Sequence, residues 1–220
     1  MERISKVRVV PVVVIDHAED AVPLAEALLA GGLNVMEITF RTPAAEQSIR
    51  NVRQAFPKML VGAGTILDTD QLQHAIDAGA QFAVAPGLNE VVIKKSHLLK
   101  LPFVPGVMTP SDVEHGLALG CKLQKFFPAE VAGGVKMLKA LAGPYAHTGI
   151  KFIPLGGVNA DNAHAYLTLP IVAAIGGSWM VERKLIAEKN WSAIRTLTAE
   201  AVQLAAAARE IGRASCRERV

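Results

Sequence analysis

A parallel (β/α)8 barrel is the α/β fold that this sequence of 220 residues predicts, and three observations point to it. Eight short apolar runs alternate with amphipathic segments from one end of the chain to the other, the order that builds a parallel sheet covered by helices. Hydrophobic residues make up 51% and aromatics only 5%, so Val, Ile, Leu and Ala carry the core, which suits strands buried on both faces. Three joints, Ala30-Gly31-Gly32-Leu33, Ala78-Gly79-Ala80 and Leu119-Gly120-Cys121, each end a helix in glycine and pass directly into a strand; glycine adopts a left-handed C-cap at little cost. A doubly wound open sheet is the competing arrangement. Its first strand–helix turn would carry a glycine-rich phosphate loop, and Ile15-Asp16-His17-Ala18 is not one.

The first run, residues 10–15, follows a charged start, but Asp16 comes at once and no small-residue cleavage site follows. It therefore reads as a strand and not as a signal peptide. The next amphipathic segment covers about 20–30, with Pro23 confined to its first turn because an interior proline would break the helix. Strands two and three are 35–40 and 59–63, separated by a helix over 44–55. Helices about 70–78 and 90–99 flank strand four, 82–85; strand five, 103–107, leads into a helix over 111–119. Strand six, 123–127, has a period of two, placing Leu123, Lys125 and Phe127 on one face and Gln124 and Phe126 on the other. Pro128 then ends the ladder, having no N–H to donate. A helix over 135–141, strand 152–155, helix 160–167, strand 171–175 and helix 191–208 complete the alternation.

No Ser/Pro-rich linker divides the chain, and residues 1–209 are expected to form a single domain. Residues 210–220 are neither amphipathic nor a natural cap, and they match a common sequencing adapter translated codon for codon. They are expected to be a non-native tail.

The formal charge is +3 with basic residues scattered, so nucleic acid is not implied. Cys121 and Cys216 are the only cysteines, which excludes a disulfide framework and gives no metal-site spacing. The six histidines (His17, His74, His97, His115, His147 and His164) show no ligand spacing near a strand end. No metal or cofactor is assigned. No apolar run approaches the roughly 20 residues of a membrane span. A cytoplasmic protein without a membrane partner is expected.

In such a barrel the active site gathers at the C-terminal ends of the strands, and this chain places unusual residues there. Lys125 stands where an aliphatic residue would be expected. One reading is a lysine whose stem carries its charge to solvent. The other is a poorly hydrated amine, partly neutral near pH 7 and suited to Schiff-base formation on a ketone. Glu37 alternates with Val35 and so points inward, as a proton shuttle with a raised pKa or as the partner of a neighbouring cation. Arg41 and the Thr65 hydroxyl could clamp a carboxylate, although an arginine there could equally sit exposed on the surface. Gly156-Gly157 and Gly176-Gly177-Ser178 end the last two strands, where tight turns or a phosphate bound on backbone N–H groups are both open.

The blocks Val35-Met36-Glu37-Ile38-Thr39-Phe40-Arg41-Thr42, Gly62-Ala63-Gly64-Thr65, Ala85-Pro86-Gly87, Pro105-Gly106, Lys125-Phe126-Phe127-Pro128-Ala129-Glu130 and Gly176-Gly177-Ser178-Trp179 carry a resemblance. In this order the chain resembles the 2-keto-3-deoxy-6-phosphogluconate (KDPG) aldolases and their 4-hydroxy-2-oxoglutarate (KHG) relatives. The resemblance implies a class I aldolase without metal, usually a homotrimer, that releases pyruvate from a phosphorylated 2-keto-3-deoxy sugar acid. It implies Lys125 as the Schiff-base lysine and Glu37 as the proton shuttle. Arg41 and Thr65 would hold the pyruvate carboxylate, with Pro86, Phe127 and Leu155 around the substrate. Phosphate would sit near Gly156, Gly157, Gly177 and Ser178. The chain departs from the pattern at Leu155, where the phosphogluconate enzymes usually carry threonine. The phosphogalactonate aldolases tend to be apolar there but usually lack the pair supplied by Arg41-Thr42. An aldolase for the galactonate epimer and a non-catalytic phosphosugar-binding barrel are the remaining alternatives.

Overall fold

The computed structural model describes residues 2–217, with side chains as far as residue 208. Its strands are β1 (Val9–Val13), β2 (Val35–Thr39), β3 (Leu60–Gly64), β4 (Phe82–Val84), β5 (Phe103–Val104), β6 (Gly106–Val107), β7 (Leu123–Phe126), β8 (Lys151–Pro154) and β9 (Ile175–Gly177). Every ladder is parallel. Six strands form one sheet in the order β5-β4-β3-β2-β1-β9, and three form a second, β6-β7-β8. The connecting helices are α2 (Ala21–Ala30), α3 (Ala45–Ala55), α4 (Thr69–Asp77), α5 (Glu90–Leu98), α6 (Pro110–Ala118), α7 (Gly134–Tyr145), α8 (Ala160–Leu167), α9 (Arg183–Ala187) and α10 (Trp191–Arg217); α1 (Glu2–Val7) precedes the first strand.

Local chemistry explains why these helices start where they do. Asp68 accepts from the backbone N–H groups of Asp70 (3.0 Å) and Gln71 (2.8 Å) at the start of α4. Thr109 and Asp112 form a reciprocal capping box on α6, and Asn159 and Asn162 form another on α8; each satisfies donors that a helix leaves unpaired. These caps follow directly on strand ends, so strand C-termini and helix N-termini share one rim. At the opposite rim Gly32, Gly79 and Gly120 take φ of 89°, 90° and 80°, the left-handed conformation expected of the three helix–strand joints.

Two strands differ from the sequence expectation. The fifth is split at Pro105: β5 pairs with β4 and β6 with β7. The proline cannot donate, yet its carbonyl accepts from the Lys125 N–H at 2.8 Å. The last strand is Ile175–Gly177 and not 171–175. Its apolar run is held by Phe152 instead, through Phe152 N–H to Ile171 O (2.8 Å) and Ala173 N–H to Phe152 O (2.9 Å). The glycine-rich continuation then pairs with Val9–Pro11 of β1, as Val9↔Ile175, Val10↔Gly176 and Pro11↔Gly177. Neither α1 nor α9 was expected, because six and five residues are too short for helical periodicity to register. The tail expected over 210–220 falls on residues without described side chains, and residues 218–220 lie outside the described residues.

The alternation within β2 and β7 decides what faces inward. In β7, Gln124 donates to Val113 O (3.2 Å) and Cys121 O (2.9 Å) on the helix side. Phe126 meets Phe152 edge to face at 6.4 Å, a favourable geometry for aromatic quadrupoles. Lys125 is therefore left to the inner face of the sheet. In β2 the same rule puts Met36 and Ile38 outward and Glu37 and Thr39 inward.

Candidate active site

Lys125 stands between Gly106 of β6 and Ile153 of β8 in the sheet register and is only 4% exposed. Its Nζ lies 4.9 Å from the centroid of the Phe127 ring. Glu37, 2% exposed, stands between Val12 of β1 and Gly62 of β3. Both side chains line one narrow interior cavity together with Val10, Phe82, Val104 and Leu155, and Ile4 of α1 lines it as well. They form no contact ion pair among the described residues. Glu37 Oε1 has no hydrogen-bond partner there.

Burial sets the proton affinities of this pair in opposite directions. Desolvation lifts the Glu37 carboxyl above its ordinary range, against the pull of Lys125 and Arg41. Desolvation likewise lowers the Lys125 ammonium, opposed by Glu37 and assisted by Arg41. An amine of lowered and a carboxyl of raised proton affinity thus share one buried cavity, shifts that favour a nucleophilic amine and a proton-shuttling carboxyl.

Arg41 reaches the rim from the end of β2. Its Nε donates to Thr39 Oγ1 at 3.1 Å, and that hydroxyl donates to Val13 O at 2.8 Å. Thr42 Oγ1 also donates to Ile15 O, so the end of β2 is pinned to the end of β1. Neither Nη group of Arg41 has a partner among the described residues, which leaves the guanidinium fork available to a carboxylate. Thr65, at φ 60°, closes β3 in the left-handed region, a conformation that costs a threonine energy and clusters at functional sites. The Pro86-Gly87 turn backs onto β6: a Cβ on Gly106 would lie 2.1 Å from Pro86 O.

The last two strand ends meet through Leu155, whose Cδ1 would lie 2.3 Å from a Cβ on Gly176. Gly156 and Gly157 take φ of 98° and 85°. The Trp179 ring covers Gly177, and Ser178 is exposed beside it. The N–H groups of Gly156, Gly157 and Ser178 donate to no group among the described residues. Free amides on adjacent loops are the type of surface that binds an oxyanion.

The structure thus brings Glu37, Lys125 and Leu155 into one cavity, sets Phe127 beside Lys125, and joins the strand ends that carry Gly156, Gly157, Gly177 and Ser178. Thr39 was not singled out, although its spacing from Glu37 places it on the same inner face. Glu130 and Tyr166 were not singled out either, and a tyrosine on an amphipathic helix offers no signal beyond core packing. His74 and His115 pair instead with Glu46 (2.8 Å) and Glu90 (3.2 Å) at the surface. Among the described residues no cluster of His, Cys, Asp and Glu is arranged to hold a metal, and no helix is long and apolar enough to cross a membrane.

Comparison with known proteins places the whole chain by similarity. The family model "Aldolase: KDPG and KHG aldolase" matches residues 1–197. A 2-dehydro-3-deoxy-phosphogluconate aldolase of Haemophilus influenzae is 44% identical over 204 residues, covering 93% of this chain and 95% of that protein. A KHG/KDPG aldolase of Escherichia coli K12 is also 44% identical, over 195 residues, 89% of this chain and 91% of that protein. Among solved structures, KDPG aldolase from Legionella pneumophila, with pyruvate captured as a covalent carbinolamine intermediate, superposes with a TM-score of 0.86 at 43% identity. That match covers 89% of this chain and 94% of the other.

Proposed function

The chain belongs to the KDPG and KHG aldolase family, and from that premise we propose that it is a class I aldolase cleaving 2-keto-3-deoxy-6-phosphogluconate to pyruvate and glyceraldehyde 3-phosphate. Its action extends to 4-hydroxy-2-oxoglutarate, giving pyruvate and glyoxylate. The observation that carries this reading is the buried Lys125 and Glu37 sharing one cavity, with proton affinities displaced in opposite directions.

The steps follow from those two groups. Neutral Lys125 Nζ attacks the C2 ketone; the carbinolamine loses water and becomes a protonated imine. Glu37, directly or through a water, takes the C4 hydroxyl proton while the C3–C4 bond breaks. The bonding electrons pass into the imine, so the product at Lys125 is a neutral enamine and not a high-energy enolate. Glyceraldehyde 3-phosphate leaves, the enamine takes a proton at C3, and hydrolysis frees pyruvate and the amine. Arg41 and Thr65 hold the carboxylate, Pro86 and Phe127 flank the keto-acid end, and the free amides of Gly156, Gly157 and Ser178, beside Gly177, receive the phosphate.

The finer architecture belongs to the same proposal: the two parallel sheets are parts of one eight-stranded barrel. The Pro105 junction and the bridge from Phe152 to Val172 support it, since they link β5 to β6 and β8 to the approach of β9. The protein works in the cytoplasm as a homotrimer, as its resemblance to the family implies.

Lys125→Met tests the mechanism. Methionine is apolar and of similar length, so the fold should lose less than about 1.5 kcal/mol, while pyruvate release from the phosphorylated substrate should vanish. Turnover near the wild-type rate would place the imine on another lysine.

A further inference from the structure

Glu130 closes the Lys125-Phe126-Phe127-Pro128-Ala129-Glu130 block, yet the reaction assigns it no chemistry. Its backbone N–H donates to Gly156 O at 3.0 Å. Its side chain then passes beneath the neighbouring glycine: a Cβ on Gly157 would lie 2.6 Å from Glu130 Cγ and 2.8 Å from its Cβ. The carboxylate ends against Tyr166 of α8, whose hydroxyl donates to Glu130 Oε1. Tyr166 is completely buried, and both burial and the Glu130 carboxylate push its phenol well above the ordinary range, so it remains a donor. Gly134, at the start of α7, leaves the room this contact needs. A Cβ there would lie 3.1 Å from the tyrosine oxygen and 3.2 Å from Glu130 Oε1. From the other side Asn162 Nδ2 donates to Gly157 O at 3.0 Å.

We infer that Glu130 and Tyr166 are positioning residues for the phosphate end of the substrate: the tyrosine holds the glutamate side chain as a strut under Gly156-Gly157, fixing where the free amides of that loop point. The inference rests on the proposed aldolase reaction and adds a determinant of its phosphate preference. Neither residue need touch the phosphate. An oxyanion held by backbone amides depends on their alignment, and a loop of two glycines has little stiffness of its own. The contact from Tyr166 of α8, itself fixed in the core, supplies that stiffness.

Tyr166→Phe keeps the aromatic ring in the core and removes only the hydroxyl. With 2-keto-3-deoxy-6-phosphogluconate its KM should rise about tenfold with kcat little changed, the size expected for losing one hydrogen bond to a charged group. With the unphosphorylated 2-keto-3-deoxygluconate, kcat/KM should be unaltered. Inorganic phosphate should inhibit the variant about tenfold less well, and Glu130→Gln, which keeps an acceptor for the tyrosine, should retain the lower KM. Adding Glu130→Ala to Tyr166→Phe should weaken the phosphorylated substrate little further, because the two residues act as one unit. Equal losses on both substrates, or no loss on either, would overturn the inference. Absence of wild-type turnover on both substrates would instead overturn the aldolase reading itself, and this inference with it.

Discussion

Leu155 meets Glu37 and Lys125 across the interior cavity and offers neither donor nor acceptor. Its side chain lies over Gly176, where no larger residue would fit. A threonine, as the phosphogluconate enzymes usually carry there, could bond a substrate hydroxyl. A site built around such a bond rejects the wrong epimer because buried polar atoms go unpaired, whereas an apolar wall discriminates weakly. The missing bond is worth about 1–3 kcal/mol, roughly tenfold to a hundredfold in selectivity. Wild type should therefore accept both C4 epimers of the phosphorylated acid with a modest gap, and Leu155→Thr should widen that gap toward the gluconate epimer. The ratio of kcat/KM values for the two epimers in both proteins decides the matter. A wild-type preference of several orders of magnitude would remove Leu155 from the account.

The elements set these side chains by register, and β3 demonstrates how tightly. Gly64 is the register partner of Thr39, and a Cβ on it would lie 2.1 Å from Glu37 Oε1 and 2.8 Å from Glu37 Cδ. Real Cβ atoms do not approach that closely, so Gly64→Ala must displace the carboxylate. The expected result is a stability loss of about 1–3 kcal/mol from overpacking and a larger fall in kcat than in substrate binding, measured by thermal melts beside steady-state kinetics. Unchanged kcat would mean that Glu37 is not placed for proton transfer. The inward direction of Glu37, and the face that Lys125 shares with Leu123 and Phe127, were legible in the sequence because period-two alternation is a local property; that the Lys125 amine is buried was not, since a lysine stem can also carry its charge to solvent. The final strand was not: hydrophobicity marks 171–175, but the partner groups on β1 select Ile175–Gly177, and glycines carry no hydrophobic signal. The Glu130–Tyr166 contact spans 36 residues and depends on how α8 docks, which no local pattern encodes.

At the scale of the whole molecule, the chemistry depends on water being kept from one amine. Strands from both sheets surround Lys125, and Ile4 of α1, itself 1% exposed, lines the same cavity. Burial favours the neutral amine, so the Lys125 pKa lies below that of an ordinary lysine. As pH rises the nucleophile is released earlier than the roughly 10.4 of a solvated lysine would allow. Borohydride reduction in the presence of pyruvate, followed by peptide mass mapping across pH, tests this most directly. The account predicts one reduced pyruvate adduct, on the peptide containing Lys125, already formed efficiently near pH 7 and rising with a midpoint below that of an ordinary lysine. No adduct on Lys125 under conditions that label a control class I aldolase, or an adduct on a different lysine, would contradict it.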